Sequence, residues 1–296
     1  MYRPSLTILA APAAIVVATL AMAGGPLVGV SLFAADPDES TVTKAWLAVC
    51  DKQAAEFAIS AAATPDKPFR RIAQPVFRHA QPARGNDVGA VWLWVDDKNR
   101  PVAVGDIFAW SINDAPVRSV THEFHSLADV PLVGSFEGSP RWTPKAAGLV
   151  WKPVPDGPVP GKSKADRQRQ ARDLARGFSA NSVDFQSGRW ELRLIPRPVH
   201  QYDVDGGDRQ VSGALFAMCQ GTDPELWLAI ETRPTSEGAR WHFAFASFTD
   251  YEVQARHDSV DVWSCPKYVH GINTEPHFVD SVAQQVSLPS GEKLEQ

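Results

Sequence analysis

Two stretches of the sequence each contain an apolar run, a short polar turn with a proline, and a second apolar run. These stretches cover residues 89–108 and 213–233. The pattern predicts a β-hairpin in each, because so short a connection joins antiparallel strands, whereas parallel strands need a much longer crossover. Short bulky runs separated by Gly, Pro, Asn and Asp continue through most of the chain after residue 69. The sequence therefore predicts antiparallel strands for this part of the chain.

Helical periodicity marks two segments that each precede a series of strand-like runs. The first extends from residue 41 to about residue 62, and the second follows Ser163, which forms a capping-box pattern with Asp166. Corresponding residues of the two series are Pro75 and Pro198, Gly89 and Gly213, Phe124 and Phe245, and Trp142 and Trp263. We therefore predict an α+β fold formed by tandem duplication, each unit having one helix and a five- to six-stranded antiparallel meander. The alternative is a coincidence of two similar meanders.

These patterns also predict domain boundaries. The first unit would span residues 36–150 and the second residues 163–267, with a weakly patterned tail at 268–296. The intervening segment 151–162 is rich in proline, which fixes φ and removes a backbone donor, so we predict an extended linker there. Separate lobes and one merged fold both remain possible arrangements of the two units.

The first 35 residues have the pattern of an export signal. Arg3 precedes a long apolar run that ends in the small-x-small sequence Ala21-Met-Ala23. The apolar character continues to Ala35, so an uncleaved anchor formed by residues 6–35 is the alternative. Both hypotheses predict a protein of the periplasm, the cell envelope or the secreted fraction. Any membrane attachment would occur through this segment alone.

Charge and motifs argue against several function classes. The formal net charge of −5 gives no reason to expect a nucleic-acid partner. The second helical segment has a basic face, which is either solvated or forms a phosphate or nucleic-acid surface. Outside the leader there is no Gly-x-Ser-x-Gly elbow, and no P-loop or Rossmann glycine pattern follows a strand. The spacing of Cys50, Cys219 and Cys265 matches no metal or redox motif, and the latter two either pair or stay free. We expect no cofactor and no bound metal.

The sequence His122-Glu-Phe-His125 provides the main candidate site. On a strand, residues three apart point to opposite faces, so the two histidines cannot chelate one ion together. Glu123 and His125 share a face, and the second series has Ala244 and Ala246 at the corresponding positions. We therefore predict Glu123 and His125 as the candidate catalytic pair. The alternative is a polar pair that faces solvent.

Weaker candidates for ligand binding are His122, Asp223 and Glu225. The two acids flank Pro224 at the turn of the second hairpin. Turn chemistry is a sufficient explanation for an Asp-Pro-Glu sequence at a strand start.

Residues 121–127, 192–198 and 213–225 resemble segments of an uncharacterised family of predicted secreted proteins from planctomycete-type bacteria. The resemblance covers most of the chain after the leader. It implies export, but it implies no activity, cofactor or catalytic residue.

Taken together, these features predict an exported, non-catalytic binding or interaction module. Its partner would be a small molecule, a glycan or a protein. One alternative is an extracytoplasmic hydrolase that uses Glu123 and His125, and another is a structural component of the envelope.

Overall fold

Two helices begin the two halves of the chain, α1 (Thr41–Ala55) and α2 (Lys164–Ala175). Ser163 caps α2, because its hydroxyl oxygen accepts a hydrogen bond from the backbone N–H of Asp166 at 3.1 Å, as their spacing predicts. α1 ends before the predicted position near residue 62, because the residues after Ala55 form a strand. The computed structural model describes residues 41–81, 87–111, 117–184, 188–204 and 211–287.

The remaining regular structure of the described residues is β-strand. In chain order the strands are β1 (Phe57–Ala61), β2 (Arg70–Arg71), β3 (Phe77–Gln81), β4 (Asp87–Val95), β5 (Pro101–Trp110), β6 (Val117–Ser126), β7 (Leu132–Phe136), β8 (Ser139–Trp142), β9 (Lys152–Pro153), β10 (Phe178–Asp184), β11 (Gly188–Leu194), β12 (His200–Val204), β13 (Val211–Gln220), β14 (Asp223–Thr235), β15 (Gly238–Ser247), β16 (Glu252–His257), β17 (Val260–Cys265) and β18 (His277–Ser287).

The strands form three sheets in which all the described pairs are antiparallel. The first large sheet has the order β18-β6-β5-β4-β2, and β3 also pairs with β4. A small sheet has the order β1-β7-β8. The second large sheet has the order β17-β16-β10-β11-β13-β14-β15-β9, and β12 also pairs with β13.

The predicted fold class, α+β with one helix and one meander in each unit, is wrong. Strands account for 55% of the described residues and helices for only 12%. The physical reason is that strands also form directly after each helix and pair with distant partners instead of with their chain neighbours alone. β1 pairs with β7, and β10 pairs with β16 as well as with β11. The sheets are therefore large and curled rather than simple meanders.

Strand pairing follows the same scheme after α1 and after α2. β3, β4, β5 and β6 pair in sequence, and so do β12, β13, β14 and β15. Within these sets, His79 pairs with Gly89, and Tyr202 pairs with Gly213. Internal duplication stays a prediction. Segment 151–162 contributes β9, which pairs with β15, and Val154 of the same segment is buried.

Three groups of buried residues form the core. One lies between α1, the first large sheet and the small sheet, and a second lies between α2 and the second large sheet. The third joins the two large sheets, with Val91, Leu93 and Val104 from the first and Leu215 and Ala229 from the second. β4 is buried on both faces, and all nine of its residues are buried. The inner faces of the two large sheets therefore exclude water.

The remaining sequence predictions concern the two ends of the chain and the three cysteines. The predicted signal or anchor at residues 1–35 lies outside the described residues, as does the end of the tail from residue 288. No helix of the described part is both long and apolar enough to cross a membrane. Cys50, Cys219 and Cys265 are free thiols, the first two buried.

Replacing Gly213 with alanine tests how closely the ring of Tyr202 packs on the backbone of this glycine. A Cβ at this position would overlap the ring of Tyr202, so we expect Gly213→Ala to lower the free energy of unfolding by about 1–3 kcal/mol. A Cβ at Gly134 would lie 3.1 Å from Cε3 of Trp142, which makes Gly134→Ala the milder control. Urea denaturation of both variants checks this expectation, and equal losses would contradict it.

Candidate functional site

Glu123 and His125 lie on β6 and point toward the second large sheet. In the register of β5 and β6, Glu123 is opposite Asp106 and His125 is opposite Val104, which belongs to the core between the large sheets. Both side chains are buried. The sequence prediction that they share a face is thus confirmed, and the alternative of a pair facing solvent is wrong.

The direct partner of Glu123 is His277, at the start of β18. Oε1 of Glu123 lies 2.6 Å from Nε2 of His277. His125 instead donates from Nδ1 to the backbone carbonyl of Ser126 at 2.8 Å, and its ring stacks on His277 with centroids 5.9 Å apart. Sequence reasoning missed His277, because it lies in a weakly patterned tail that only the pairing of β18 with β6 brings to this site.

Burial decides the protonation of the Glu123–His277 pair. It raises the pKa of Glu123 well above its usual value, and nearby carboxylates, Asp250 and Asp106 foremost, raise it further. Burial also lowers the pKa of His277 well below its usual value, as does the neighbouring His125. Both shifts favour the neutral forms. The pair is therefore a carboxylic acid that donates its proton to a neutral imidazole.

Two further aromatic rings lie between this pair and the surface. The ring of Tyr268 lies 4.5 Å from that of His277, and its hydroxyl oxygen accepts a hydrogen bond from the backbone N–H of Val279. The ring of His270 lies 5.0 Å from that of Tyr268, and its Nε2 lies 3.1 Å from Oδ2 of Asp250. The side chains of His270 and Asp250 are each 45% exposed.

A second group of polar side chains begins at Asp106, on the other side of Glu123. Nε2 of His79 lies 2.7 Å from Oδ2 of Asp106, and Nδ1 lies 3.8 Å from Oδ1 of Asp87. Burial by itself would lower the pKa of His79, but the charge and hydrogen bond of Asp106 outweigh burial and raise it to about 10. His79 is therefore an imidazolium at neutral pH. Neither His79 nor Asp106 was recognised from the sequence.

The structure places two of the weaker candidates, Asp223 and Glu225, near these groups. One nitrogen of His79, one carboxylate oxygen of Asp106 and one of Asp223 all lie within 4.8 Å of one another. Glu225 is buried, and its charge contributes to the raised pKa of Glu123. The acid–histidine cluster consists of these side chains: His79, Asp106, Glu123, His125, Asp223, Glu225 and His277.

His122 lies outside this cluster. It points to the opposite face of β6, where Nε2 contacts Oε1 of Gln53 on α1 and the ring packs edge-on against Phe57 at 4.9 Å. Burial lowers the pKa of His122 to about 4. His122 is thus a neutral core residue beneath α1, and the strand alternation that separated it from Glu123 in the sequence analysis is confirmed.

A different polar cluster lies at β12 and β14. The hydroxyl of Tyr202 donates to Oε2 of Glu231 at 2.6 Å. Arg100 donates to both oxygens of Glu231, from Nε at 2.8 Å and from Nη2 at 3.1 Å, and to Asp129 at 2.9 Å. Burial raises the pKa of Tyr202, and the charge of Glu231 raises it further. These four residues are the arginine–glutamate cluster, which the sequence analysis did not find.

The largest of the described clefts lies beside α2. It has a volume of about 560 Å³ and is lined by Arg172, Arg197 and His200 together with Pro196, Pro198, Val199 and Gln201. Three smaller clefts are lined by other residues. Glu123 and His125 line none of these four clefts in the described part of the chain.

Comparison with protein-family models and with curated proteins gives no match for this chain, and comparison with solved structures gives none either. The resemblance to a family of planctomycete-type bacteria therefore stays a prediction.

Replacing Glu123 with glutamine tests whether the folded protein keeps a proton on this carboxyl. The unfolded chain releases that proton near the usual glutamate pKa of 4.5, whereas the folded chain retains it, so stability falls as pH rises above this value. Glutamine carries no such proton. We expect Glu123→Gln to gain stability relative to the wild type by up to about 1.4 kcal/mol for each pH unit between about pH 5 and 8.

Urea denaturation at several pH values measures this difference. Glu237→Gln is the matched control, because the side chain of Glu237 is 78% exposed and contacts Arg240 only at 3.4 Å. A Glu123→Gln difference that does not vary with pH would show that Glu123 is ionised in the folded protein.

Proposed function

We propose that the protein is an exported, non-catalytic binding protein that holds an anionic small molecule or glycan in the cleft between Arg172 and Arg197. The observation that carries this proposal is that two arginine residues line one cleft of about 560 Å³, and neither forms an ion pair with a carboxylate of the described residues. Guanidinium groups bind carboxylates and phosphates through paired, charge-assisted hydrogen bonds.

The other arginines of α2 and the C-cap residue Arg176 differ from Arg172. Arg169 and Arg176 each bond an aspartate one turn earlier, at 2.6 and 2.7 Å. Arg167 is buried and bonds the hydroxyl of Ser212. The basic face predicted for this helix is therefore mostly neutralised by the chain itself, which leaves Arg172 as the helix residue that supports anion binding.

The lining of the cleft favours a fixed shape. Pro196 and Pro198 flank Arg197 and hold their own φ angles, which limits the motion of the segment that carries it. Nε2 of His200 donates to the backbone carbonyl of Asn99 at 2.9 Å, and burial lowers the pKa of His200, so it stays neutral. A site with little freedom to lose binds a ligand at a lower entropic cost.

Burial of the acid–histidine cluster supports binding over hydrolysis. A general base needs to come within hydrogen-bond reach of the substrate proton, directly or through one water. Glu123 is buried and bonds His277, and His125 is buried and bonds the backbone of Ser126. Hydrolysis by Glu123 and His125 stays a prediction, as do the export signal and the structural role in the envelope.

Arginine substitutions test the proposed site. Titration calorimetry of the wild type with citrate, glycerol phosphate and oligogalacturonate should detect binding of at least one anion, and raising the salt concentration should weaken it. We expect Arg172→Gln and Arg197→Gln each to weaken that binding by at least about tenfold, the loss of one charge-assisted hydrogen bond.

The matched control is Arg169→Gln, because Arg169 lies on the same helix but bonds Asp166. This variant should bind as the wild type does. Failure of all three anions to bind, or equal weakening in the control, would refute the assignment of the cleft.

A further inference from the structure

In the arginine–glutamate cluster, the positive charge that pairs with Glu231 comes from an arginine side chain of the protein. Arg100 neutralises Glu231, which is 2% exposed, and also contacts Asp129. Tyr202 completes this arrangement from β12, where it pairs with Gly213. Arg233 also donates to Oε1 of Glu231 at 2.9 Å, so the buried carboxylate is matched by two guanidinium groups and a hydroxyl donor, as a buried charge requires.

The acid–histidine cluster lies at the corresponding position in the first set of strands, β3 to β6. Its charged groups differ from those of the arginine–glutamate cluster. His79 pairs with Gly89 across β3 and β4 as Tyr202 pairs with Gly213 across β12 and β13. Asp223 precedes Pro224 at the start of β14 as Arg100 precedes Pro101 at the start of β5. A carboxylate therefore stands where the other cluster has its cation.

Two buried atoms of the His79–Asp106 pair have no hydrogen-bond partner among the described residues. They are Oδ1 of Asp106 and Nδ1 of His79, in residues that are 2% and 4% exposed. No lysine or arginine in the described part of the chain forms an ion pair with Asp106. A carboxylate oxygen that is buried without a donor is costly, and a bound cation is one of the few ways to offset that cost.

We propose that His79, Asp106 and Asp223 bind one divalent transition-metal ion. Each residue offers one ligand atom, and the three atoms lie within 4.8 Å of one another. Ligand atoms about 2.1 Å from one tetrahedral ion are about 3.4 Å apart, so the side chains need to shift by up to about 1.4 Å to close on the ion.

The donor set selects among metals. One imidazole nitrogen with two carboxylates suits Zn²⁺ or Mn²⁺, whereas Ca²⁺ takes six to eight oxygen ligands. The site also has a route to solvent, because Asp223 is only partly buried and follows the exposed turn residues Gly221 and Thr222. His79 coordinates a metal as a neutral imidazole, so each ion bound displaces one proton from its imidazolium.

The test uses the full chain as isolated, treated with EDTA and dialysed. Titration calorimetry with Zn²⁺ and with Mn²⁺ should show one equivalent bound for at least one of these ions, and Ca²⁺ should bind at least about tenfold more weakly. Asp223→Asn and Asp106→Asn should each weaken binding of that ion by at least about tenfold. The bound ion should also raise the melting temperature of the wild type but not that of Asp223→Asn.

Asp129→Asn is the matched control, because Asp129 is a carboxylate of the arginine–glutamate cluster. It should bind the metal as the wild type does. Asp223 lies at a partly exposed strand start, so Asp223→Asn decides the question even where Asp106→Asn does not fold. Absence of Zn²⁺ and Mn²⁺ binding, or an affinity of Asp223→Asn equal to that of the wild type or of Asp129→Asn, would overturn the proposal.

Discussion

The packing of the two large sheets against each other constrains the rest of the structure. Their inner faces share one apolar core, and strand β4 is buried on both of its faces. Polar side chains that point inward from neighbouring strands are therefore removed from water. Each such group needs a partner inside the protein, because an unsatisfied buried charge costs several kcal/mol.

The two polar clusters meet this requirement in different ways. At the arginine–glutamate cluster, Arg100 makes two hydrogen bonds to Glu231 and so pairs the buried charge. In the acid–histidine cluster, Glu123 and His277 avoid charge by sharing one proton, and His79 carries a proton beside Asp106. Protonation in the second cluster thus substitutes for the guanidinium of the first. That difference makes the acid–histidine cluster the more sensitive of the two to pH and to added cations.

The interior and the surface have separate roles in this arrangement. The buried clusters fix how strands from distant parts of the chain meet, while the cleft beside α2 presents charge to solvent. α2 is held by its Ser163 cap and by the buried Arg167. Arg172 on this helix forms no ion pair with a carboxylate of the described residues, which is the basis of the binding site proposed above.

Local sequence patterns determined much of the β structure. The hairpins predicted at residues 89–108 and 213–233 match the pairs β4–β5 and β13–β14, and the alternation at β6 correctly put Glu123 and His125 on one face and His122 on the other. The capping function of Ser163 was also predictable. These features depend on residues within a few positions of one another. Periodicity and capping patterns reflect interactions over that short distance along the chain.

Tertiary structure alone decided the fold class and the partners at the candidate site. The segment after α1 continues the helical pattern in the sequence but forms β1, because it pairs with β7 across more than 70 residues of chain. His277 reaches Glu123 only through the pairing of β18 with β6, and Asp223 approaches His79 only because the two large sheets pack together. Contacts between residues so far apart in the chain leave no trace in local periodicity, since they arise when apolar faces are buried against each other.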